Sequence, residues 1–234
     1  TVPIKAYEKN IPKYVMMPGN AINRHPIVEE RTRRLKAYAE TTPLNRVEMG
    51  GTDIGIITHS TAIEGSTLSE TENALMFDED IVPTGHTVTE QLMNLDLKRA
   101  YDFIEQEAPR KSAIDPVLLK KLSALVMRNT GSLYRTVLGD FDSSLGDFRL
   151  LNVSAGRGGR IYPDYRKVPA LVDDFCRWLS LEREKEQTDA AEAYILSFEA
   201  HFRLVSIHPW LDGNGRTARL LMNMLQMERG LLPS

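Results

Sequence analysis

Apolar residues recur at three- and four-residue spacing through most of the chain, the pattern of helices that bury one face. Over 87–107, Val88, Leu92, Leu95, Tyr101 and Ile104 predict one long helix. Asp115 before Pro116 is a favourable helix start, an N-cap carboxylate followed by a residue preset to helical φ. Leu118, Leu122, Leu125 and Val126 carry that helix to about residue 129, and Gly131 closes it. Residues 169–181 read as helical and 182–187 as a charged, solvated connector. Asp189, with Glu192 three residues on, has the spacing of a capping box. It opens a face of Ala191, Tyr194, Ile195, Phe198, Phe202 and Val205, which Pro209 ends at His208. The last helix begins near Gly215, runs through Leu220, Leu221, Met224 and Leu225, and stops at Gly230. Nearer the start, 53–63 predicts a short helix between Gly50-Gly51 and Gly65, and 27–40 is a charged, helix-favouring stretch between Pro26 and Pro43. Residues 139–169 break the pattern with seven glycines and prolines: Gly139, Gly146, Gly156, Gly158, Gly159, Pro163 and Pro169. There 148–153 and 160–162 are expected to pair around a 156–159 turn. The fold class expected is all-α with one small β-hairpin.

Composition narrows the field without naming a function. The chain has 234 residues, 42% hydrophobic and 26% charged, ordinary values for a globular protein. A formal charge of −3 leaves no general footprint for nucleic acid or an anionic membrane. No apolar run approaches the roughly 18 residues of a membrane span, and no signal-peptide core opens the chain. The single cysteine, Cys176, excludes an internal disulfide and a cysteine zinc cluster, and its apolar helical setting predicts a buried packing role. The chain starts at Thr1 and stops just after a strong helix, so both ends are expected to be trimmed.

The chemistry concentrates at 208–219, His208-Pro209-Trp210-Leu211-Asp212-Gly213-Asn214-Gly215-Arg216-Thr217-Ala218-Arg219. Gly213 and Gly215 flank Asn214 where a loop enters a helix. The backbone can come close to a ligand there, and the unpaired N–H groups of the helix start form an anion site. Arg216 and Arg219, three apart, share a face at that end, where the helix dipole disfavours cations. An anion is needed to neutralise them, and polyphosphate suits the arginine fork. Asp212 adds the single carboxylate with which Mg²⁺ is held against substrate phosphates. His208 at the lip of the loop is placed to act as a base near neutral pH. Together these parts describe attack of a hydroxyl on a nucleotide phosphate. Gly156-Arg157-Gly158-Gly159-Arg160 precedes no helix and is a flexible loop tip, not a phosphate loop. His25, His59, His86 and His201 lack such company and read as structural or surface residues.

A second feature lies upstream. Ser60 and Glu64 are four apart and share the last turn of the short helix, just before Gly65. A carboxylate at a helix C-terminus is disfavoured by about 0.3–1 kcal/mol, which points to a cationic partner from elsewhere. Arg219 is the candidate.

Residues 208–219 resemble the signature of the Fic family, H-x-F-x-[D/E]-G-N-G-R-x-x-R, with Trp210 standing where phenylalanine is usual. With each residue type near 5% usage, seven fixed positions coincide by chance on the order of once in a billion starts. Gly146-Asp147-Phe148-Arg149 looks like the element before the family's target-docking hairpin, the flap, with 160–163 as its returning side. The resemblance extends over 115–230. It implies a mostly helical Fic fold, its flap near the active site, and AMP transfer from ATP to a Ser, Thr or Tyr hydroxyl of a protein, with self-modification as one outcome. His208 is then the general base and Asp212 the Mg²⁺ ligand. Gly213, Asn214 and Gly215 form the anion hole, Arg216 contacts the phosphates, and Arg219 binds the γ-phosphate. Ser60-Thr61-Ala62-Ile63-Glu64-Gly65 is similar to the inhibitory motif [S/T]-x-x-x-E-[G/N] of relatives that carry it ahead of the core. On that likeness Glu64 pairs with Arg219 and blocks productive ATP binding.

The expected organisation is an N-terminal helical region, 1–108, carrying the inhibitory helix at about 53–65, and a catalytic core, 109–234, cut short at its C-terminus. The expected partners are ATP and a hydroxyl-bearing protein, without a membrane or nucleic acid, and a homo-oligomer is left open. A cytoplasmic setting fits ATP use and the lone cysteine. AMP removal, transfer of another nucleotidyl or phosphoryl group, and an inactive regulatory module are the competing readings.

Overall fold

The computed structural model describes residues 46–155, 159, 161–185 and 190–234 together with Arg33; over 46–52 it describes the backbone alone. The helix expected over 27–40 lies outside the described residues except at Arg33, as do Asp189 and all of the 156–160 loop tip but Gly159.

Among the described residues there are seven α-helices and one two-stranded sheet. The helices are α1 (Arg46–Ala62), α2 (Glu70–Asp78), α3 (Val88–Glu107), α4 (Pro116–Val126), α5 (Val168–Glu184), α6 (Ala190–Ile207) and α7 (Asn214–Glu228). Between α4 and α5 the strands β1 (Leu133–Thr136) and β2 (Gly139–Asp142) pair antiparallel, Leu133 opposite Asp142 and Thr136 opposite Gly139. The small sheet thus forms upstream of the segment expected to make it. Over 148–162 the pairing is a single bridge, Ser154 opposite Ile161, with the Tyr162 amide donating to the Val153 carbonyl at 3.2 Å. The alternation Leu133, Tyr134, Arg135, Thr136 is too short to stand out by period, whereas stacking of Tyr134 on Phe141, 5.1 Å between ring centroids, holds the pair.

α7 is the central helix. It packs on α6, α3 and α4 and touches α1, so its polar Asn223, Gln226 and Glu228 are buried along with its leucines and methionines. Leu97 and Ile104 of α3, Leu119 and Leu122 of α4, Leu179 of α5, Leu204 of α6 and Leu221 of α7 meet in one core. Each such side chain contributes about 1.5–3 kcal/mol of burial. Cys176 is buried there and burial pushes its thiol up to about 12, the inert packing state expected for it.

Three boundaries follow the sequence closely. The Asp115 side chain accepts the Leu118 amide at 2.8 Å with Pro116 leading α4, Thr87 caps α3, and α6 stops one residue before His208. Two depart from it. Gly50 and Gly51 lie inside α1 rather than before it, and α2, whose nine residues carry almost no apolar stripe, has no sequence expectation behind it. α2 exists through its cap: Ser69 accepts the Glu72 amide while Glu72 reaches back to the Ser69 amide at 2.8 Å.

The end of α1 is fixed by a buried polar network. The Thr61 hydroxyl donates to Asn94 Oδ1 at 2.7 Å, Asn73 Nδ2 donates to the same oxygen at 3.1 Å and to Thr58 at 2.8 Å, and Asn94 Nδ2 donates to Ser66 at 2.9 Å. These side chains tie the last turn of α1 and the chain leaving it to α2 and α3.

Glu72 and Glu90 are held near a pKa of about 2, against an ordinary 4.5. For Glu72 the main causes are hydrogen bonds from the Ser69 amide and from His86; for Glu90 they are hydrogen bonds from Thr87 and Thr67. Both values are depressed in the folded state. Their support is therefore complete above pH 4.5 and is lost as pH falls from 4.5 towards 2. The native protein should lose melting temperature across this window more steeply than a Glu72→Gln/Glu90→Gln variant, read by circular dichroism; equal slopes would contradict the assignment.

Candidate active site

Pro209 ends α6, and the chain then turns sharply through His208, which adopts φ +54°, unusual for a residue with a side chain. Three inward groups hold this turn. Arg149, 1% exposed, sends Nε to the His208 carbonyl at 2.8 Å, one Nη to the Leu151 carbonyl at 2.7 Å and the other to the Pro163 carbonyl at 2.6 Å. Its own amide donates to the Pro209 carbonyl at 3.0 Å. Trp210 is fully buried, with its indole N–H donating to the Gly146 carbonyl at 3.0 Å and its ring against Phe148. The tryptophan thus serves as the apolar anchor that a phenylalanine would supply, with one added hydrogen bond. Asn214 closes the loop on itself: Oδ1 accepts the Trp210 amide at 3.0 Å and Nδ2 donates to the Trp210 carbonyl at 2.9 Å.

With its side chain turned inward, Asn214 offers an anion only its backbone N–H. Together with Gly215 and Arg216, it belongs to the first turn of α7, where the amides have no partner within the helix. Gly213 is required by its backbone, while a side chain at Gly215 would crowd the Glu64–Arg219 pair. Gly213 has φ +75°, and a Cβ on it would stand 2.8 Å from the Met127 sulfur. A Cβ on Gly215 would meet Glu64 Oε1 at 2.9 Å and Arg219 Nη1 at 3.0 Å.

Arg216 carries the strongest electrostatic signal. It is 3% exposed, its Nε and one Nη are buried without a hydrogen bond, and the other Nη meets the Met127 thioether at 3.4 Å. The nearest carboxylate, Asp212, is 3.6 Å away with its side chain 63% exposed. Burial pulls the guanidinium pKa down. A buried cation so poorly matched is costly unless an anion completes it. Met127 beneath it is held by the loop after α4, where buried Asp96 accepts both the amide and the side-chain N–H of Asn129, at 2.7 and 2.5 Å. Desolvation raises the Asp96 pKa despite these bonds.

Arg219, one turn on, is engaged by the end of α1 through Nε and one Nη. Its Nε donates to the Ser60 hydroxyl at 2.7 Å, and one Nη donates to the Ser60 carbonyl at 3.0 Å and to Glu64 Oε1 at 2.9 Å. The structure therefore brings Ser60 and Glu64, at the end of α1 and its exit, against Arg219 in the second turn of α7.

His208 is half-buried, and burial outweighs the Val205 carbonyl and the Asp212 carboxylate in setting its pKa below the ordinary imidazole value. Its ring stacks on Tyr162, with centroids 3.8 Å apart and planes 17° from parallel. A neutral ring near pH 7 is suited to accept a proton. Of the remaining histidines, His86 bonds Glu72 and Thr67, His59 pairs with Glu70 at 3.1 Å, and His201 lies among α6 residues. His25 is outside the described residues.

Tyr162, Met127, Asp96 and Asn129 carried no motif of their own. Their contacts join segments tens of residues apart, beyond the reach of local periodicity. Asp96 alone left a trace, as a carboxylate between Leu95 and Leu97.

A turn fixed from below, a helix start with a buried arginine short of partners, and a histidine at the lip meet in one site of a mostly helical protein. Residues 113–226 match the sequence profile of the Fic/DOC family, and that stretch is a Fic/DOC family domain. It is 32% identical over 180 residues to the protein adenylyltransferase Fic of Drosophila grimshawi, covering 76% of this chain and 33% of that protein. The Drosophila melanogaster protein of the same name gives the same figures. The chain thus spans about a third of the length of the curated relatives it matches. Among solved structures, a Fic family protein from Desulfovibrio desulfuricans superposes with a TM-score of 0.71 at 23% identity, covering 91% of this chain and 59% of that one. Fic-1 from C. elegans gives 0.60 at 21% identity, covering 98% and 60%. These two likenesses show the shared fold.

Replacing Arg216 by methionine removes a buried charge whose nearest carboxylate is 3.6 Å away and mostly exposed, and keeps most of its volume. Arg216→Met should stabilise the ligand-free protein by about 1 kcal/mol or more, read by thermal melting. Pyrophosphate should stabilise the native protein, and Arg216→Met should abolish that response. A destabilised variant that still responds to pyrophosphate would contradict this reading.

Proposed function

We propose that this chain is a protein adenylyltransferase that transfers AMP from ATP to a Ser, Thr or Tyr hydroxyl of a protein, itself included, and that Glu64 restrains it. The observation that carries the reading is Arg216, with two hydrogen-bonding nitrogens buried and unpartnered at the helix start beside Asp212 and His208. The activity printed for the Drosophila relatives is the same chemistry.

In this mechanism ATP lays its phosphates along the first turn of α7. Arg216 and the amides of 214–216 hold the phosphate oxygens at the helix start. The target hydroxyl approaches the His208 lip. Nε2 takes its proton as the oxygen bonds to the α-phosphorus, and the bond from that phosphorus to the β-bridging oxygen breaks, releasing pyrophosphate. Among the described residues no group of three metal-ligating side chains gathers. One exposed carboxylate beside a phosphate cradle fits Mg²⁺, which takes one or two carboxylates plus substrate oxygens. Asp212 would hold the ion, and the ion's contribution when bound is to neutralise charge on the phosphates.

Glu64 supports the restraint. While it and Ser60 engage Arg219, that guanidinium is not free to meet a γ-phosphate. The same carboxylate, at the mouth of the cradle, is also placed to activate a water against a bound AMP ester, so removal of AMP is the second reading.

The test is self-labelling by α-labelled ATP with Mg²⁺ in native protein, Glu64→Gly and Glu64→Gly/His208→Ala. Glu64→Gly should raise labelling about tenfold or more, the equivalent of ~1.4 kcal/mol. Adding His208→Ala should lower it by about 10²–10⁴, the usual worth of a positioned base. No labelling in any variant that still binds ATP would contradict AMP transfer. Loss of AMP from a pre-modified target, dependent on Glu64, would favour removal.

A further inference from the structure

The imidazole of His208 lacks the usual device that orients a catalytic histidine. Such rings are commonly fixed by a hydrogen bond from Nδ1 to a carbonyl or carboxylate. Here Nδ1 is buried and makes no hydrogen bond. The Val205 carbonyl lies near enough to the ring to favour its protonated form, without reaching hydrogen-bond geometry at Nδ1. What lies flat against the ring is Tyr162, 3.8 Å between centroids and 17° from parallel.

Tyr162 is itself firmly placed. Its amide donates to the Val153 carbonyl at 3.2 Å, and its neighbour Ile161 bridges to Ser154. The next residue, Pro163, gives its carbonyl to Arg149 at 2.6 Å, while the same guanidinium holds the Leu151 carbonyl at 2.7 Å and the His208 carbonyl at 2.8 Å. One buried arginine thus ties both legs of the 151–163 segment to the backbone of His208. The tyrosine ring on one leg lies flat against the imidazole.

We propose that Tyr162 is a positioning residue for His208: its ring face, backed by the Arg149 fork, sets the imidazole plane so that Nε2 points at the incoming hydroxyl. This rests on His208 being the base. The ring and not the phenol oxygen does the work, because the contact is face to face. Alignment of a base matters to the chemical step far more than to nucleotide binding, since small errors of placement in a near-attack geometry lower turnover steeply.

The test uses the whole chain in a Glu64→Gly background, with Tyr162→Phe and Tyr162→Leu, and follows self-labelling, ATP affinity by calorimetry and the His208 ring-proton shifts by NMR. Tyr162→Leu should lower the labelling rate at saturating ATP by about tenfold or more while ATP affinity stays within about twofold. Tyr162→Phe should restore both rate and shifts. The His208 ring protons should carry an upfield ring-current shift that survives in Tyr162→Phe and disappears in Tyr162→Leu. An unaltered rate in Tyr162→Leu, an equal loss in Tyr162→Phe, or a loss confined to ATP affinity would overturn the proposal. Labelling in the Glu64→Gly parent that does not depend on His208 would instead overturn the base assignment, and the positioning role with it.

Discussion

Every feature of the site depends on one constraint: the turn between α6 and α7 must hold an unfavourable backbone shape with its outward face empty. A residue at φ +54°, a glycine at φ +75° whose amide is taken by Asp212 Oδ1 at 2.6 Å, and the three helix-start amides of 214–216 do not stay in place by themselves. The turn is fixed from its inner side. Arg149 takes the His208 carbonyl, Trp210 fills the core and reaches Gly146, and Asn214 bonds both main-chain groups of Trp210. With these groups satisfied inside, the amides of the first turn of α7 and the Arg216 guanidinium are left for a ligand. The unsatisfied charge is thus a cost borne by the ligand-free protein and offset elsewhere in the fold.

The two arginines of α7 differ in a way that their spacing does not reveal. Arg216 points into the protein, lies on the Met127 sulfur and is short of partners. Arg219 points to α1 and has three hydrogen bonds there. Arg219 meets a carboxylate at hydrogen-bond distance, whereas the carboxylate nearest Arg216 is 3.6 Å away. The contact at Arg219 needs the α1 terminus in one place, and the Thr61, Asn73 and Asn94 network supplies that placement from α2 and α3. In the proposed function, restraint is therefore a property of how α1 is docked as well as of the Glu64 carboxylate.

Much of this was legible in the sequence where the cause is local. Asp115-Pro116, Thr87 and Pro209 mark helix ends through backbone chemistry that acts within a few residues, and the helices begin or end there. The chemistry of 208–219 was legible because its parts are contiguous, and the pairing of Glu64 with Arg219 because both are charges placed against a helix dipole. The small sheet was misplaced because four-residue strands carry too little period to compete with a glycine-rich turn. α2 was missed because its capping box, not an apolar stripe, makes it a helix. The inward rotation of the Asn214 side chain and the seating of Tyr162 on His208 depend on contacts between distant segments, which spacing does not encode.

The central claim is that Arg219 can serve either Glu64 or a γ-phosphate, but not both. Calorimetric affinities for ATP and ADP, in native protein and in Glu64→Gly, test it without any need for turnover. The account predicts that native protein binds the two nucleotides about equally, because the γ-phosphate finds Arg219 occupied. Glu64→Gly should then favour ATP over ADP by about tenfold or more, ~1.4 kcal/mol. The same ATP-to-ADP ratio in both proteins would contradict it.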